Sequence, residues 1–341
     1  MDKIMGQTES RERFFTKDRE FYRTLFKMLL VVALQNLVAY SVNMADNIML
    51  GVYDQASLSA AATVNQVFFM VQQFALSIGN ALVVLGAQYW GQGRVEPVRT
   101  LTGIALKLGV LISAALVGVC ALFPEPLLYL FTDSAEIVAE GVRYLSLIQW
   151  TFALFILTNV LMAALRSVGV VNISFYVSVV SLIVNAGINY TLIFGRFGFP
   201  ELCILGAAVG TLTARTLEFV VVLAYILKWD KKLCLFSGGG VWRRDKCLRG
   251  DYAKVYIPIM CSQVLWGISV PMQTAILGRL SDDAIAANSI ATTFYQYLKV
   301  IVIAMSSVSA VMIGNAIGRG DLKRIKSDAR TMAAIDVLIG A

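Results

Sequence analysis

Eight long apolar stretches constrain this chain more than any other feature of its sequence. Each holds about 20 or more largely apolar residues, the length that an α-helix needs to cross the hydrocarbon core of a bilayer. They cover residues 24–50, 57–90, 98–122, 142–165, 173–194, 203–227, 252–278 and 284–317, and a ninth stretch begins near Met332. Hydrophobic residues make up 58% of the chain and charged residues 15%, whereas soluble domains have about 45–50% and about 25%. The sequence therefore predicts an all-α polytopic membrane protein.

The composition argues against most enzymatic and metal-binding chemistry. The chain has no histidine, which is the commonest general base and zinc ligand. Its five cysteines show no C-x-x-C spacing, and four of them lie in or beside apolar stretches, where cysteine acts as a small hydrophobic residue. The segment 1–23 is polar and of mixed charge, so no cleavable signal peptide is expected. We therefore predict no disulfide framework, no cofactor and no catalytic residue.

Lysine and arginine are unevenly distributed between the two sides of the predicted helices. They are concentrated in segments 1–23, 228–254 and 319–330, whereas the alternate loops offer only Arg196 and Arg279. Because basic loops stay in the cytoplasm, this pattern predicts a multi-pass protein of the plasma (inner) membrane with a cytoplasmic amino terminus. Topology accounts for the formal net charge of +7, and we predict no nucleic-acid partner.

An internal repeat with an offset of 227 residues runs through the chain. Asp46-Asn-Ile-Met-Leu-Gly51 aligns with Gln273-Thr-Ala-Ile-Leu-Gly278, and Gly91-Gln-Gly93 aligns with Gly318-Arg-Gly320. Six predicted helices separate the two copies, so both copies cross the membrane in the same direction. Parallel repeats of this kind are an architecture of secondary transporters.

The repeat divides the chain into an amino-terminal segment, a six-helix lobe, a linker and a second lobe. The predicted boundaries are 1–23, 24–227, 228–251 and 252–341. The second lobe holds two full helices and the start of a third, and a complete copy would need roughly 110 further residues. The expected fold is therefore a two-lobe helical bundle of parallel six-helix repeats whose second repeat is incomplete.

Four polar residues in predicted helices one, five and six are the strongest candidates for a functional site. Polar and ionisable side chains inside spanning helices are costly and usually functional. At 1.5 Å per residue from the outer helix ends, Asp46, Asn189, Asn185 and Thr211 lie about 6, 8, 14 and 12 Å deep. Their oxygens are hard donors that suit a sodium ion or, at the carboxylate, a proton. The alternative is that Asp46 caps a helix at the headgroup boundary and that each amide makes an interhelical hydrogen bond.

Other polar residues in the predicted helices are accessory candidates. Gln35 and Asn43 fall on roughly the same helical face as Asp46, a stripe that should avoid lipid. Arg215 and Glu218 are three residues apart on predicted helix six. That spacing favours an intrahelical ion pair that neutralises both groups.

Gln273 takes the place in the second lobe that Asp46 takes in the first. An amide cannot change its charge between two states of a transporter, whereas a carboxylate can. We therefore predict that cation coupling is confined to the first lobe and that Gln273 packs or forms hydrogen bonds.

At these positions the sequence resembles the multidrug and toxic compound extrusion (MATE) family. The resemblance extends over the chain after about Phe21 and rests on segments Met44-Ala-Asp-Asn-Ile-Met-Leu-Gly51, Gly86-Ala-Gln-Tyr-Trp-Gly-Gln-Gly93, Asn185-Ala-Gly-Ile-Asn189, Ala208-Val-Gly-Thr211 and Ile257-Pro258. It implies two lobes arranged in a V around a central cleft and a monomeric protein in the lipid bilayer. It also implies sodium- or proton-driven export of small cationic or amphipathic molecules, with the cation site at Asp46, Asn185, Asn189 and Thr211.

Two features depart from parts of that family. Some members carry a glutamate in helix seven, but residues 258–270 of this chain contain no acidic residue. Some members carry a proline in helix one, and residues 24–50 contain none. The identity of the coupling ion and a bend in helix one therefore do not follow from the resemblance.

Two competing functions are weaker. A lipid-linked-oligosaccharide flippase of the same superfamily would need several cations in its cleft to hold a pyrophosphate, and the only candidates for that role are Lys107, Arg143, Arg215 and Lys299. An intramembrane aspartyl protease would use Tyr53-Asp54 and Gly318-Arg-Gly-Asp321 as its YD and GxGD pair. The predicted topology places the two aspartates on opposite sides of the membrane, so an enzyme is disfavoured.

Overall fold

The computed structural model describes residues 15–243, 245–278, 282–320 and 322–340. In these residues every regular element is a helix, and eight helices are long and apolar enough to cross a membrane. The helices are α1 (Arg19–Tyr53), α2 (Gln55–Gly91), α3 (Val95–Leu122), α4 (Pro124–Tyr129), α5 (Ala135–Ile148), α6 (Trp150–Ser167), α7 (Asn172–Ile193), α8 (Ile204–Lys228), α9 (Lys246–Gly278), α10 (Asp282–Arg319) and α11 (Leu322–Gly340). The predicted all-α polytopic fold is confirmed.

A single residue, Asp54, separates α1 from α2. Its backbone N–H donates to the Leu50 carbonyl at 2.9 Å, and its carboxylate accepts the Ser57 N–H at 2.9 Å. The second hydrogen bond lowers the pKa of the Asp54 carboxyl, because it stabilises the charged form. Asp54 is therefore a helix cap. Asp321, its partner in the protease alternative, lies outside the described residues.

The fourth predicted helix, 142–165, was wrong as a single element, because the structure has two helices there. α5 and α6 meet at Gln149, whose side chain donates to the Ser146 carbonyl at 3.1 Å. α5 carries an exposed ion pair between Glu140 and Arg143, so only one side of it is apolar. An apolar run identifies α6 but cannot reveal the amphipathic helix that precedes it.

α9 and α11 also begin six or more residues earlier than predicted. α9 starts at Lys246 instead of residue 252, because the Asp245 carboxylate accepts two backbone N–H groups of its first turn at 2.9 and 3.1 Å. α11 starts at Leu322, ten residues before Met332. In both cases the first turns are polar, and a boundary drawn from apolar residues misses them.

The predicted linker, 228–251, packs against the first lobe. Leu233 and Val241 are buried, and Arg99 of α3 donates from Nε to the Leu233 carbonyl at 2.8 Å. Gly103 of α3 lies so close to the Val241 backbone that no Cβ would fit there. The segment between α8 and α9 is therefore an integral part of the bundle.

The two copies of the repeat meet where α2 crosses α10. A Cβ on Gly91 would overlap the backbone of Asn315, and a Cβ on Gly318 would overlap the backbone of Gln88. Gly318 and Asn315 are the repeat equivalents of Gly91 and Gln88. The two contacts are thus one contact made in both directions, and the crossing lies on the axis that relates the two halves.

Candidate functional site

Three helices of the first lobe, α1, α7 and α8, enclose the candidate residues. α7 and α8 are consecutive, and a turn that contains Gly195 in the left-handed region (φ 61°) connects them. At the start of α8, a Cβ on Gly206 would lie 2.8–2.9 Å from the backbone of Leu192 and Ile193. The absence of a side chain at Gly206 therefore lets the two helices pack closely, and α1 packs against α7.

The four predicted site residues form one continuous polar chain. Asn189 Nδ2 donates to Asp46 Oδ1 at 2.5 Å and to Asn185 Oδ1 at 3.4 Å. Asn185 Nδ2 donates to Thr211 Oγ1 at 3.3 Å. The side chains of Asn185 and Asn189 are fully buried. Residues from three helices therefore lie together, as their depths predicted, although Asp46 and Asn189 are 143 positions apart along the chain.

One acceptor in this site has no hydrogen-bond partner among the described residues. It is the buried Oδ1 atom of Asn189. This atom lies directly against Gly210 of α8, where a Cβ would overlap it. An unpaired buried acceptor is costly, and a bound cation would satisfy it.

The cation site that the MATE resemblance implies at these residues predicts that Gly210→Ala weakens cation binding. The added methyl group would displace the Asn189 amide from Asp46 and from Asn185. We expect the cation concentration for half-maximal export to rise by about tenfold, the equivalent of about 1.4 kcal/mol. The measurement is substrate export from vesicles as a function of the driving cation.

The matched control is Gly187→Ala on α7, where a Cβ would have open space. It adds the same methyl group to a neighbouring helix and should leave the cation dependence unchanged. Equal effects of the two substitutions would contradict the assignment of Gly210 to the site.

Two site residues, Tyr144 and Gly210, were missed from the sequence. Tyr144 of α5 is buried, and its hydroxyl lies close enough to Asp46 for the carboxylate to affect its ionisation. Nothing in its local sequence separates it from an ordinary core tyrosine. Gly210 does carry a signal, because Gly206 and Gly210 are four residues apart on one face of α8, the spacing of small residues at close helix contacts in membranes.

The accessory candidates do not all join this chain. The side chain of Gln35 donates to Met162 Sδ at 3.9 Å, and at 1.5 Å per residue it lies roughly 16 Å from Asp46 along α1. Asn43 is half-buried on α1, and no described hydrogen bond connects it to the four residues. The predicted polar stripe is therefore not a single site. The side chain of Gln273 lies outside the described residues.

Arg215 and Glu218 form the ion pair that their spacing predicts. Arg215 Nη1 lies 2.8 Å from Glu218 Oε2, and the side chains are 17% and 8% exposed. The guanidinium also lies over the Phe155 ring, 4.8 Å from its centroid. The pair is thus enclosed within the first lobe, and the charge of Arg215 acts on Asp46.

Secondary transporters are built from spanning helices in parallel repeats, with polar side chains buried between the helices. The fold of this chain has these features. The family model described as MatE matches residues 32–191 and 258–341, well over half of the chain. The chain belongs to the MatE family. The resemblance noted in the sequence is thereby confirmed.

Several curated relatives and solved structures are similar to this chain. The Rhizobium meliloti protein named probable multidrug resistance protein NorM is 30% identical over 302 residues, which cover 88% of this chain and 64% of the relative. The Bacillus subtilis protein named probable multidrug resistance protein YoeA is 22% identical over 290 residues, which cover 83% and 62%. The chain thus spans slightly less than two thirds of the length of these relatives.

Two solved transporters share the fold. A MOP superfamily transporter from Pyrococcus furiosus superposes with a TM-score of 0.84 at 17% identity. The match covers 95% of this chain and 72% of the transporter chain. The Vibrio cholerae MATE transporter VcmN superposes with a TM-score of 0.81 at 20% identity. The match covers 94% of this chain and 71% of the VcmN chain. The predicted MATE-like bundle is therefore confirmed at the level of the fold.

Proposed function

We propose that this protein is a cation-coupled antiporter that exports cationic or amphipathic organic compounds by alternating access. The observation that carries the proposal is the hydrogen bond from the buried Asn189 of α7 to the half-buried Asp46 of α1. A carboxylate inside a spanning helix is retained where it binds an ion or a proton. Small-molecule substrates are supported by the curated relatives, which are named probable multidrug resistance proteins.

The coupling cation takes the place of the Asn189 N–H group as the partner of Asp46. Rotation of the Asn189 amide would turn its unpaired Oδ1 away from Gly210 and towards the carboxylate. A sodium ion would then be held by oxygens of Asp46, Asn185, Asn189 and Thr211. A proton would instead reside on Asp46 and form a hydrogen bond to the same Asn189 oxygen. Either ion is a substrate of the exchange and not a resident cofactor.

Cation binding can drive a conformational change because the site joins separate helices. Asp46 lies on α1, whereas its partners lie on α7 and α8. A ligand shifts a conformational equilibrium only through different affinities for the two states. Moving α1 away from α7 would separate the carboxylate from the amides, so only one conformation binds the cation tightly.

Efflux from vesicles with separately imposed gradients tests the proposal. Vesicles that contain the protein would be loaded with ethidium, a fluorescent cation, and sodium and proton gradients would be applied one at a time. We expect one gradient to accelerate export and its collapse by an ionophore to stop it. Identical export under both gradients and under none would contradict coupled antiport.

We propose that the amino terminus faces the cytoplasm of the plasma membrane and that the protein acts as a monomer. A cysteine at Gln55, the first residue of α2, should then react with an impermeant maleimide added outside intact cells. A cysteine at Lys246, at the start of α9, should react only after permeabilisation. The native cysteines would be replaced in both variants, because Cys247 is itself exposed. The opposite pattern would reverse the orientation.

A further inference from the structure

Arg215 places a permanent positive charge beside the proposed cation site. It follows Thr211 by one turn of α8, and its charge acts on Asp46. A guanidinium stays protonated at all physiological pH values. A positive charge that acts on the carboxylate would compete with a coupling cation for it, so the direction in which the guanidinium is held affects cation binding.

Glu218 and two aromatic rings hold the Arg215 guanidinium in place. Its Nη1 donates to Glu218 Oε2 at 2.8 Å. Its central carbon lies 4.8 Å from the ring centroid of Phe155 and 6.0 Å from that of Phe68. Among the described residues, Asp46 takes part in no ion pair shorter than 4.0 Å. The guanidinium therefore contacts Glu218 and the aromatic rings of α2 and α6, whereas Asp46 accepts a hydrogen bond from the Asn189 amide.

The charge of Glu218 is balanced by Arg215 in surroundings that are otherwise apolar. The carboxylate is buried, and it borders an apolar groove between α7 and α8 whose walls include Ile173, Val177 and Val221. In the described part of the chain, Arg215 is its only ionic partner. Since a buried charge without a partner is strongly disfavoured, the two residues form a neutral unit.

We propose that Glu218 is a positioning residue for the cation site, which holds Arg215 against Phe155 so that the Asp46 carboxylate remains available to the coupling cation. This inference rests on the proposed antiport function. Glu218 does not touch the cation, but it sets the affinity of the site for that cation. The pair contributes through the direction in which it holds the charge, because its net charge is zero.

Glu218→Gln tests the proposal by releasing the arginine. The glutamine keeps the size of the side chain but cannot balance the guanidinium, which would then turn towards Asp46. The readout is the external sodium concentration that gives half-maximal ethidium export from vesicles, or the external pH where protons drive wild-type export. We expect about a tenfold rise in that concentration, or a shift of about one pH unit towards acid.

The double variant Arg215→Gln, Glu218→Gln separates positioning from packing. It removes both charges, so no guanidinium competes for Asp46, and the half-maximal concentration should return to within about threefold of the wild-type value. If the pair served only to pack α8, the double variant would be no better than Glu218→Gln. That result, or a wild-type cation dependence in Glu218→Gln, would overturn the proposal.

Two controls keep this test distinct from a failure of the antiport function itself. Glu140→Gln breaks the exposed ion pair with Arg143, which has the same spacing of three residues and an N–O distance of 3.0 Å, and should change nothing. Wild-type export that responds to neither gradient would refute the antiport function. A cation-dependent wild type with an unresponsive Glu218→Gln variant would refute only the role of Glu218.

Discussion

Asp46→Asn is expected to abolish cation-coupled export while the protein still inserts into the membrane. The substitution preserves the size of the side chain and its place beside Asn189, so packing of α1 on α7 should persist. It removes the only full negative charge of the four-residue site. Losing a charged partner from a buried polar contact costs about 1.5–3 kcal/mol, which corresponds to a loss of cation affinity of roughly 10- to 150-fold. Gradient-driven ethidium export from vesicles measures the effect.

Two matched substitutions show whether the loss is specific to Asp46. Asp133→Asn removes an exposed carboxylate between α4 and α5 and should leave coupling intact. Gln273→Ala alters the repeat equivalent of Asp46, and it should also preserve coupling if the second lobe takes no part. Wild-type coupling in Asp46→Asn would refute the site. Equal losses in Asp46→Asn and Gln273→Ala would show that both lobes share the coupling.

Gly91→Ala and Gly318→Ala are expected to destabilise the protein to similar extents. In each case the new methyl group would overlap the backbone of the facing helix at the crossing of α2 and α10. Overpacking of this kind costs about 1–3 kcal/mol per site. The effects should be similar because the two glycines make equivalent contacts. The apparent unfolding temperature of the protein in detergent measures the loss.

Gly118→Ala is the control for the crossing. Gly118 lies within α3, and a Cβ there would meet nothing within 4 Å. Alanine is the better helix former by up to about 1 kcal/mol, so this variant should be as stable as the wild type or more so. Neutral behaviour of Gly91→Ala and Gly318→Ala would mean that the two helices can separate at the crossing without cost.

The sequence predicted which polar residues lie together better than it predicted the ends of the helices. Asp46, Asn189 and Thr211 could be placed together because helix depth follows from counting residues, and because α7 and α8 are consecutive. Counting apolar residues does not locate the polar first turns of a helix, so the starts of α9 and α11 were misplaced.

Interactions between distant segments were harder to predict. Tyr144 lies near Asp46 because α5 is a separate amphipathic helix that packs inside the bundle. The local sequence around Tyr144 does not predict that position. The packing of Leu233 and Val241 on α3 likewise depends on Gly103, whose role is visible only once both segments are in place.

The crossing of α2 and α10 also has the form of an interface between two identical subunits. In a two-fold symmetric dimer, residue i of one subunit meets residue j of the other, and j meets i in return. Gly91 with Asn315 and Gly318 with Gln88 repeat that pattern within one chain, and Ala87 meets its own equivalent, Gly314. In a homodimer every substitution occurs twice. A chain that contains both halves can change one alone, and so can keep a carboxylate at Asp46 where its counterpart, Gln273, is an amide.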